Sequence, residues 1–427
     1  MNLAKKINLH YTTIQGSFGI GFGALMSFGA VLMLSRGLSN SALGVVTCIA
    51  QLLPMVLQPA VTSFAARREG MTTRKMLMLL TLPILVMAVV MLLAPQSLGV
   101  IIAGYMLIFL MVNLITPYHN VLMVDFLTRG VEVNYGLGRG VGSGTFALAT
   151  LVLGFVLEGR DSVLIVPVIG GAKLLQLLCV AAFRYPLPAV EAAAEEQREA
   201  VSRMAILRSR RDFVLLLGAV ALLLGVHNVT NVYMVHVIDR VGGAESLMGS
   251  ILGVSAVTEL ISMPLFPKLQ RKFGITALLR FAAAFFVVRL VLLLLAPSGG
   301  FLYLAAVAQF ASSGILLPAI VYYVAQTLTP EQQTNGQGMI HLAGYCLGPA
   351  LITLGVGAVV DGSGIQAALG VMIALAAVGT VLMAAATRKR GESCLRNNWR
   401  EKLIGITWLC RARSLSASAH CGATARC

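Results

Sequence analysis

The chain has 427 residues, of which 58% are hydrophobic and only 11% are charged. Roughly a quarter of the residues of an average soluble domain are charged. A water-soluble core of this size could not bury so much apolar surface. The composition therefore excludes an ordinary soluble protein and predicts a chain whose helices cross a lipid bilayer.

Long apolar runs recur along nearly the whole chain, and each approaches the roughly 20 residues that a helix needs to cross the hydrocarbon layer. The first run is too long for a signal-peptide core and is not followed by a small-residue cleavage site, so we expect it to stay in the mature protein. The runs predict twelve transmembrane spans, at residues 11–34, 41–66, 75–94, 98–123, 139–158, 162–183, 213–237, 246–267, 275–296, 300–327, 336–360 and 364–387.

The net charge of +15 could indicate a nucleic-acid partner, but the positions of the basic residues favour a topological explanation. With the N-terminus and the even-numbered loops on one side, 27 of the 32 Lys and Arg residues fall on that side. Only Arg36, Arg160 and Arg240 fall on the other, while Lys173 and Arg289 lie inside spans. The positive-inside rule then predicts a multi-pass protein of the inner (cytoplasmic) membrane with both termini in the cytoplasm and no nucleic-acid partner.

The two halves of the chain resemble each other. Three positions of the second span recur in the eighth at a constant offset of 205 residues: Ser41, Gly44 and Pro59 match Ser246, Gly249 and Pro264. Two GxxxG pairs also correspond, Gly140 and Gly144 with Gly344 and Gly348, and such pairs allow close helix packing. The pattern predicts duplicated six-helix bundles.

The fold class expected is an all-α membrane protein with twelve helices in two pseudo-symmetric bundles. Residues 1–186 would form the N-terminal bundle and residues 213–388 the C-terminal bundle, joined by a charged cytoplasmic linker at 187–212. Residues 389–427 switch to Arg, Ser, Cys and Trp and are predicted to be an atypical, disordered cytoplasmic tail.

Two charged residues lie deep inside predicted spans. Glu259 lies in the eighth span and Arg289 in the ninth, and a lone charge there costs on the order of 3 kcal/mol even on the lenient insertion scale. One interpretation is a cavity carboxylate that binds solute or a proton, with Arg289 adjusting its affinity. The other is a fixed ion pair that holds two helices together. Their depths differ by roughly 10 Å at 1.5 Å per residue, so direct contact requires both side chains to reach.

Other polar residues in spans are candidates for solute binding or coupling. The seventh span carries His227, Asn228, Asn231 and Tyr233 within about two helical turns, and such side chains can bond a neutral solute or shuttle a proton. Interhelical hydrogen bonding explains each of them equally well. Asn120, Arg139 and Gln309 are further candidates, whereas Lys173 in the sixth span has only a local pairing or snorkelling explanation.

The pattern predicts a transporter rather than an enzyme. No metal, disulfide or nucleotide-loop spacing is present in the sequence, so we expect no cofactor and no metal. Polar side chains shared by two bundles are typical of secondary transporters. A membrane sensor that binds a solute without moving it remains the alternative from another class.

Two motifs carry a resemblance to a known family: YGLGRGVGSGTFA at 135–147, which contains Arg139, and KFG at 272–274, which is followed fifteen residues later by Arg289. With them the chain resembles, from about residue 8 to 388, the major facilitator superfamily, in particular the lactose-permease-like branch of oligosaccharide and nucleoside proton symporters. The resemblance puts Arg139 on the sugar-binding arginine at the start of the permease's fifth helix and Arg289 on its ninth-helix arginine, with Glu259 one turn from its eighth-helix acid.

The chain also departs from that pattern. The permease's tenth-helix His and Glu fall on Gln309 and Ser312, and its fourth-helix sugar-binding Glu falls near Asn120 and Val121. The resemblance implies a monomeric, proton-coupled importer of a sugar, a nucleoside or a similar polar solute, with an exporter of sugars or drugs as the alternative. Lactose specificity is not implied.

Overall fold

The computed structural model describes residues 3–68, 70–127, 131, 134–185, 207–208 and 210–388, and these residues are almost entirely helical. In the N-terminal half the helices are α1 (Leu3–Ser35), α2 (Asn40–Arg67), α3 (Thr73–Leu93), α4 (Leu98–Leu127), α5 (Tyr135–Leu157) and α6 (Ile165–Ala182). In the C-terminal half they are α7 (Arg211–Val232), α8 (Met234–Arg240), α9 (Glu245–Phe273), α10 (Ile275–Leu295), α11 (Gly299–Ala308), α12 (Ser313–Thr327), α13 (Pro330–His341) and α14 (Gly348–Ala386).

The all-α membrane fold predicted from sequence is confirmed. Among the described residues ten helical stretches are long and apolar enough to cross a bilayer, or eleven when the two parts of α9, bent by 59° at Pro264, count as one. One stretch, Asn335–Ala386, has 52 residues and breaks at Gly364, where φ is 78°. It covers both the eleventh and the twelfth predicted span, so the count of twelve remains a prediction.

Three spans of the C-terminal half are irregular in the middle. Tyr233 separates α7 from α8, residues 309–312 separate α11 from α12, and a π-helical turn at Leu342–Leu347 separates α13 from α14. Irregular backbone at membrane depth persists only where protein or a cavity supplies hydrogen-bond partners, and π-turns are frequent at functional sites. The three breaks therefore mark the places in the C-terminal half where protein or a cavity must supply hydrogen-bond partners to the backbone.

The two halves meet closely at one end, which we call the closed end. A Cβ atom on Gly154 of α5 would lie 2.7 Å from the Glu245 carbonyl oxygen and 2.8 Å from the Gly249 Cα atom of α9. On α2 and α14, a Cβ atom on Gly44 would lie 2.7 Å from the Thr353 carbonyl oxygen. Glycine is required at both crossings because backbone atoms fill the space of a side chain.

Hydrogen bonds between the halves reinforce the closed end. The Asp361 carboxylate accepts the backbone N–H groups of Asn40 at 3.1 Å and Ser41 at 2.7 Å, the first two residues of α2. These N–H groups have no partner within their own helix, and the helix dipole favours an anion there. His236 Nε2 and the Tyr233 hydroxyl donate to the Asn40 side chain at 2.6 Å and to its carbonyl at 3.2 Å.

The closed end also carries an ion pair in the turn before α6. Arg36 donates to the Asp161 carboxylate at 2.6 Å. The backbone N–H of Val163, with help from the Arg36 guanidinium, holds the pKa of the Asp161 carboxyl below its ordinary value. The Asp161 side chain is 44% exposed, which places this turn at the water-facing end of the helices.

One packing expectation from sequence is only half correct. Gly344 and Gly348 pack against α7, where a Cβ atom on Gly344 would lie 2.8 Å from a Leu224 methyl carbon. Gly140 and Gly144 of α5 face open space, because no neighbouring atom of the described residues lies within 4 Å of the position that a Cβ atom would take. Gly142, between them, makes the contact with α1 instead, because a Cβ there would lie 3.2 Å from the Gln15 carbonyl oxygen.

The linker and the tail fall largely outside the described residues, which lack 186–206, 209 and 389–427. The boundaries predicted for the two bundles, the linker and the tail therefore stay predictions.

We predict that Gly154→Val lowers the melting temperature of the purified protein in detergent, because the branched side chain would overlap the backbone of α9. Overpacking of this kind costs about 1–3 kcal/mol. Gly144→Val, on the same helix but facing open space, is the matched control and should melt close to the unmodified protein. Equal melting temperatures for the two variants would contradict the close crossing.

Candidate functional site

Glu259 is the centre of a polar cluster in the C-terminal half. Its Oε1 atom accepts hydrogen bonds from the Gln309 amide at 2.9 Å and from the Ser313 hydroxyl. Its side chain is 24% exposed, so one edge of the carboxylate is held by α12 and the preceding break while the rest is accessible. This arrangement keeps an ionisable group at lipid depth without burying it fully.

Arg289 and Glu259 are not within 4 Å of each other and are connected through His227. Arg289 Nη1 donates to His227 Nδ1 at 3.0 Å, so the imidazole is neutral and carries its proton on Nε2. His227 Nε2 lies 3.9 Å from Glu259 Oε1, which is longer than a hydrogen bond. The imidazole therefore bridges the difference in depth that the sequence predicted between the two charges.

Arg289 is almost fully buried, with 2% exposure, and its Nε atom has no hydrogen-bond partner among the described residues. A buried guanidinium is tolerated only with compensating charge and hydrogen bonds. Here the nearby acid is Glu259, and the arrangement can relay a change of charge at Glu259 to Arg289 across the imidazole.

The break between α11 and α12 helps to build this cluster. Gln309 follows the last residue of α11 and Ser313 begins α12. The two donors to Glu259 thus come from the two sides of the break. The Ser262 hydroxyl, one turn beyond Glu259, donates to the Gly314 carbonyl at 2.7 Å and fixes α9 against the same break.

A cavity of about 230 Å³ lies between the two halves next to Glu259. From α9 it is lined by Ala256, Glu259 and Leu260, and from α1 and α5 by Gln15, Phe18, Gly19, Phe22, Arg139, Gly142, Ser143 and Phe146. Glu259 is the only acidic residue in this lining and Arg139 the only basic one. The cavity therefore presents one anion and one cation from opposite halves.

The wall formed by the N-terminal half combines aromatic faces with polar groups. Phe18 and Phe22 stack with ring centroids 5.6 Å apart, and Phe22 lies 5.8 Å from Phe146. Arg139 is exposed and makes no hydrogen bond or ion pair with the other described residues. Aromatic faces with a few convergent polar groups are typical of small-molecule sites.

Only some of the residues predicted from sequence to bind solute lie in the Glu259 cluster or at the cavity. Glu259, Arg289, His227 and Gln309 lie in the C-terminal cluster, and Arg139 lines the cavity from the other half. Asn120, on α4, is half-buried and is not among the residues that line the cavity.

The remaining candidates, on α7 and at its end, make no hydrogen bond to the Glu259 cluster within the described part of the chain. Asn228 donates to the Leu224 carbonyl of its own helix at 2.8 Å, while the Asn231 side-chain oxygen is buried without a partner among the described residues. Tyr233 bonds to Asn40 at the closed end. Interhelical hydrogen bonding therefore explains Tyr233 better than solute binding does.

Sequence reasoning missed Ser313 and the three phenylalanines of the wall. The Ser-Ser-Gly run at 312–314 in an otherwise apolar span was the available signal, because such a run favours a break. The aromatic residues gave none, since Phe is common throughout membrane helices. Among the described residues no group of three His, Cys, Asp or Glu side chains could hold a metal ion.

Long apolar helices, breaks in the spans and a polar cavity between the two halves are typical of a membrane transporter. The model of the MFS_1 like family, which is part of the major facilitator superfamily, matches residues 18–371, and the chain belongs to that family. The crystal structure of nucleoside transporter NupG superposes with a TM-score of 0.74 at 13% identity, covering 91% of this chain and 100% of that one. An inward-facing bacterial homolog of the human lysosomal transporter Spinster gives 0.69 at 15%, covering 90% and 97%.

Among curated proteins, the maltose permease of Geobacillus stearothermophilus is 31% identical over 227 residues. The match covers 52% of this chain and 55% of the permease, so the chain aligns with about half of that relative's length. At their low identity the solved structures establish the fold alone.

We predict that Glu259→Gln lowers the free energy of unfolding more than Arg289→Gln does. Removing the carboxylate leaves a buried guanidinium without a nearby acid, which costs about 3 kcal/mol. Removing Arg289 leaves a carboxylate that is 24% exposed and can be hydrated or protonated. Thermal unfolding of both variants and of the double variant, with the exposed Glu158→Gln as control, measures the difference.

The double variant should be more stable than Glu259→Gln alone, because it removes the uncompensated charge. Strictly additive losses would show that the two side chains do not interact through His227.

Proposed function

We propose that the chain is a secondary active transporter that moves a small polar solute across the cytoplasmic membrane by alternating access, with proton-coupled uptake. The observation that carries the proposal is the partly exposed Glu259 carboxylate at a cavity between the two halves, with Arg139 on the opposite wall. An ionisable group at this position can bind and release a proton while the halves rock about the solute.

The closed end faces the outside in this proposal. The positive-inside rule places both termini in the cytoplasm, which puts the Asp361 and Gly154 contacts on the outer side. Residues 1–186 and 213–388 are the two rocking bundles and 187–212 their linker. The glycine crossings and the Asp361 hydrogen bonds then serve as the outer gate.

Relatives suggest the class of solute. The names of the two comparison proteins give maltose and nucleosides as what they carry, and a sugar or a nucleoside suits a cavity with stacked phenylalanines and hydrogen-bonding groups. The volume of about 230 Å³ is at the small end of ligand sites. It favours a solute with a single ring over a disaccharide.

Glu259 is the residue to which we assign the coupling proton. In the lactose-permease-like branch that the sequence resembles, the tenth helix carries a His and a Glu. The corresponding positions here are Gln309 and Ser312, so coupling by that pair is excluded for this chain. Gln309 instead donates to Glu259. Loss of the proton would make Glu259 an anion facing Arg289 across His227, and this favours one orientation of α9 and α10. The transporter works as a monomer.

The test is uptake of labelled glucose, maltose and uridine into proteoliposomes with and without an inward proton gradient. We expect accumulation of at least one solute to rise about tenfold with the gradient, since one pH unit corresponds to 1.4 kcal/mol. Glu259→Gln should abolish the response to the gradient while exchange of solute at equilibrium continues. Glu158→Gln, which alters an exposed acid of the same type, should behave like the unmodified protein.

Uptake that is the same with and without a gradient would overturn proton coupling. Accumulation only in vesicles of inverted orientation would make the protein an exporter. Binding of a solute without translocation would identify a sensor.

A further inference from the structure

The charges around the cavity are not balanced in the same way on its two walls. Glu259 has its compensation within the C-terminal half, from Gln309, Ser313 and the Arg289–His227 pair. Arg139 has no such partner among the described residues, although it lines the same cavity. The N-terminal wall therefore carries a guanidinium without a hydrogen-bond acceptor among the described residues.

A second cation lies directly behind that wall. Lys173 of α6 is fully buried, and its Nζ atom lies 4.3 Å from the centroid of the Phe18 ring, which lines the cavity. Among the described residues its one hydrogen-bond acceptor is Gln176 Oε1, at 2.8 Å, and no acidic group lies within 4 Å of it. In its protonated form the amine adds a positive field to the aromatic wall that no acid compensates.

His119, which lies next to Gln176, does not compensate the positive charge of Lys173. Gln176 Nε2 lies 2.7 Å from His119 Nε2 and donates to it, because the amide oxygen is already bonded to Lys173. A histidine that accepts at Nε2 carries its one ring proton on Nδ1 and is neutral. The group formed by Lys173, Gln176 and His119 is therefore neutral or positive, never negative.

The hydroxyl groups of a neutral solute would replace only part of the solvation that Arg139 loses when water is displaced, because they carry no opposite charge. A carboxylate would bond the guanidinium in its preferred two-point geometry and lie in the field of the amine. The stacked Phe18 and Phe22 rings, with the tilted Phe146 ring next to them, offer a surface for the face of one ring beside the carboxylate. Glu259 on the other wall disfavours a second negative group on the same solute.

We propose that the solute of this cavity is a single-ring sugar acid, such as a uronic acid, whose carboxylate binds Arg139 while its hydroxyl groups face Glu259 and Gln15. This inference rests on the proposed transport function and narrows its class of solute. It assigns to Lys173 the role of a buried positioning charge that favours an anionic group at the aromatic wall without touching it.

The experiment compares matched pairs that differ only in the carboxylate: glucose with glucuronate and galactose with galacturonate, with uridine as a neutral nucleoside. Binding to the purified full chain is measured by thermal shift at constant ionic strength and then by uptake into proteoliposomes. We expect each uronate to bind at least about tenfold more tightly than its neutral partner.

Arg139→Gln should remove this preference, and Arg139→Lys should restore part of it because a charge is retained. Arg160→Gln, which alters an exposed arginine in the turn that follows α5, is the matched control and should keep the full preference. Lys173→Met should reduce the preference of each uronate over its neutral partner; if that variant does not fold, the Arg139 series decides alone.

Equal or weaker binding of the uronates, or a preference that survives in Arg139→Gln, overturns the sugar-acid proposal. If glucose, galactose or uridine is bound and transported in that case, the proposed function still stands. If no member of the panel shifts the melting temperature or enters the proteoliposomes, the proposal is overturned and the proposed function loses its support from these solutes as well.

Discussion

Hydrocarbon offers no hydrogen-bond partner to a polar group, and the positions of the charged side chains follow from this constraint. Glu259 meets it by facing a cavity with part of its carboxylate and by accepting two hydrogen bonds from the break between α11 and α12. Arg289, which is almost fully buried, meets it through His227. The breaks in the helices are part of the same solution, because they supply side chains from both sides of an interruption to one carboxylate.

The sequence was sufficient for the apolar spans and for the presence of two charges at lipid depth. It also indicated that Glu259 and Arg289 differ in depth by roughly 10 Å. It could not show what fills that gap, because spacing along one helix does not fix the rotation of the neighbouring helix. His227, Asn228 and Tyr233 lie close together on one short stretch and yet have three different partners. Only the packing of this stretch against its neighbours distinguishes the bridging imidazole of His227 from the Tyr233 hydroxyl at the closed end.

The helix breaks could be read from the sequence only in part, through the Ser-Ser-Gly run at 312–314. The tenth predicted span has an ordinary apolar composition, and its interruption at residues 309–312 depends on tertiary contacts with α9. Glycine was informative only in part. Gly249, found through the internal repeat, does mark a close crossing, whereas Gly140 and Gly144 face open space. A small residue permits close approach, but the opposing surface decides whether it occurs.

The geometry of the closed end links the crossing of the two halves to the cavity. Gly154 and Arg139 lie on one helix, α5, and Gly249 and Glu259 lie on another, α9. At 1.5 Å per residue, the crossing lies about 22 Å from Arg139 along α5 and about 15 Å from Glu259 along α9. Because each helix carries both a crossing residue and a cavity residue, a movement that separates the two glycines also changes the separation of the two charged side chains. One rotation of α5 against α9 would therefore change the glycine crossing and the cavity together.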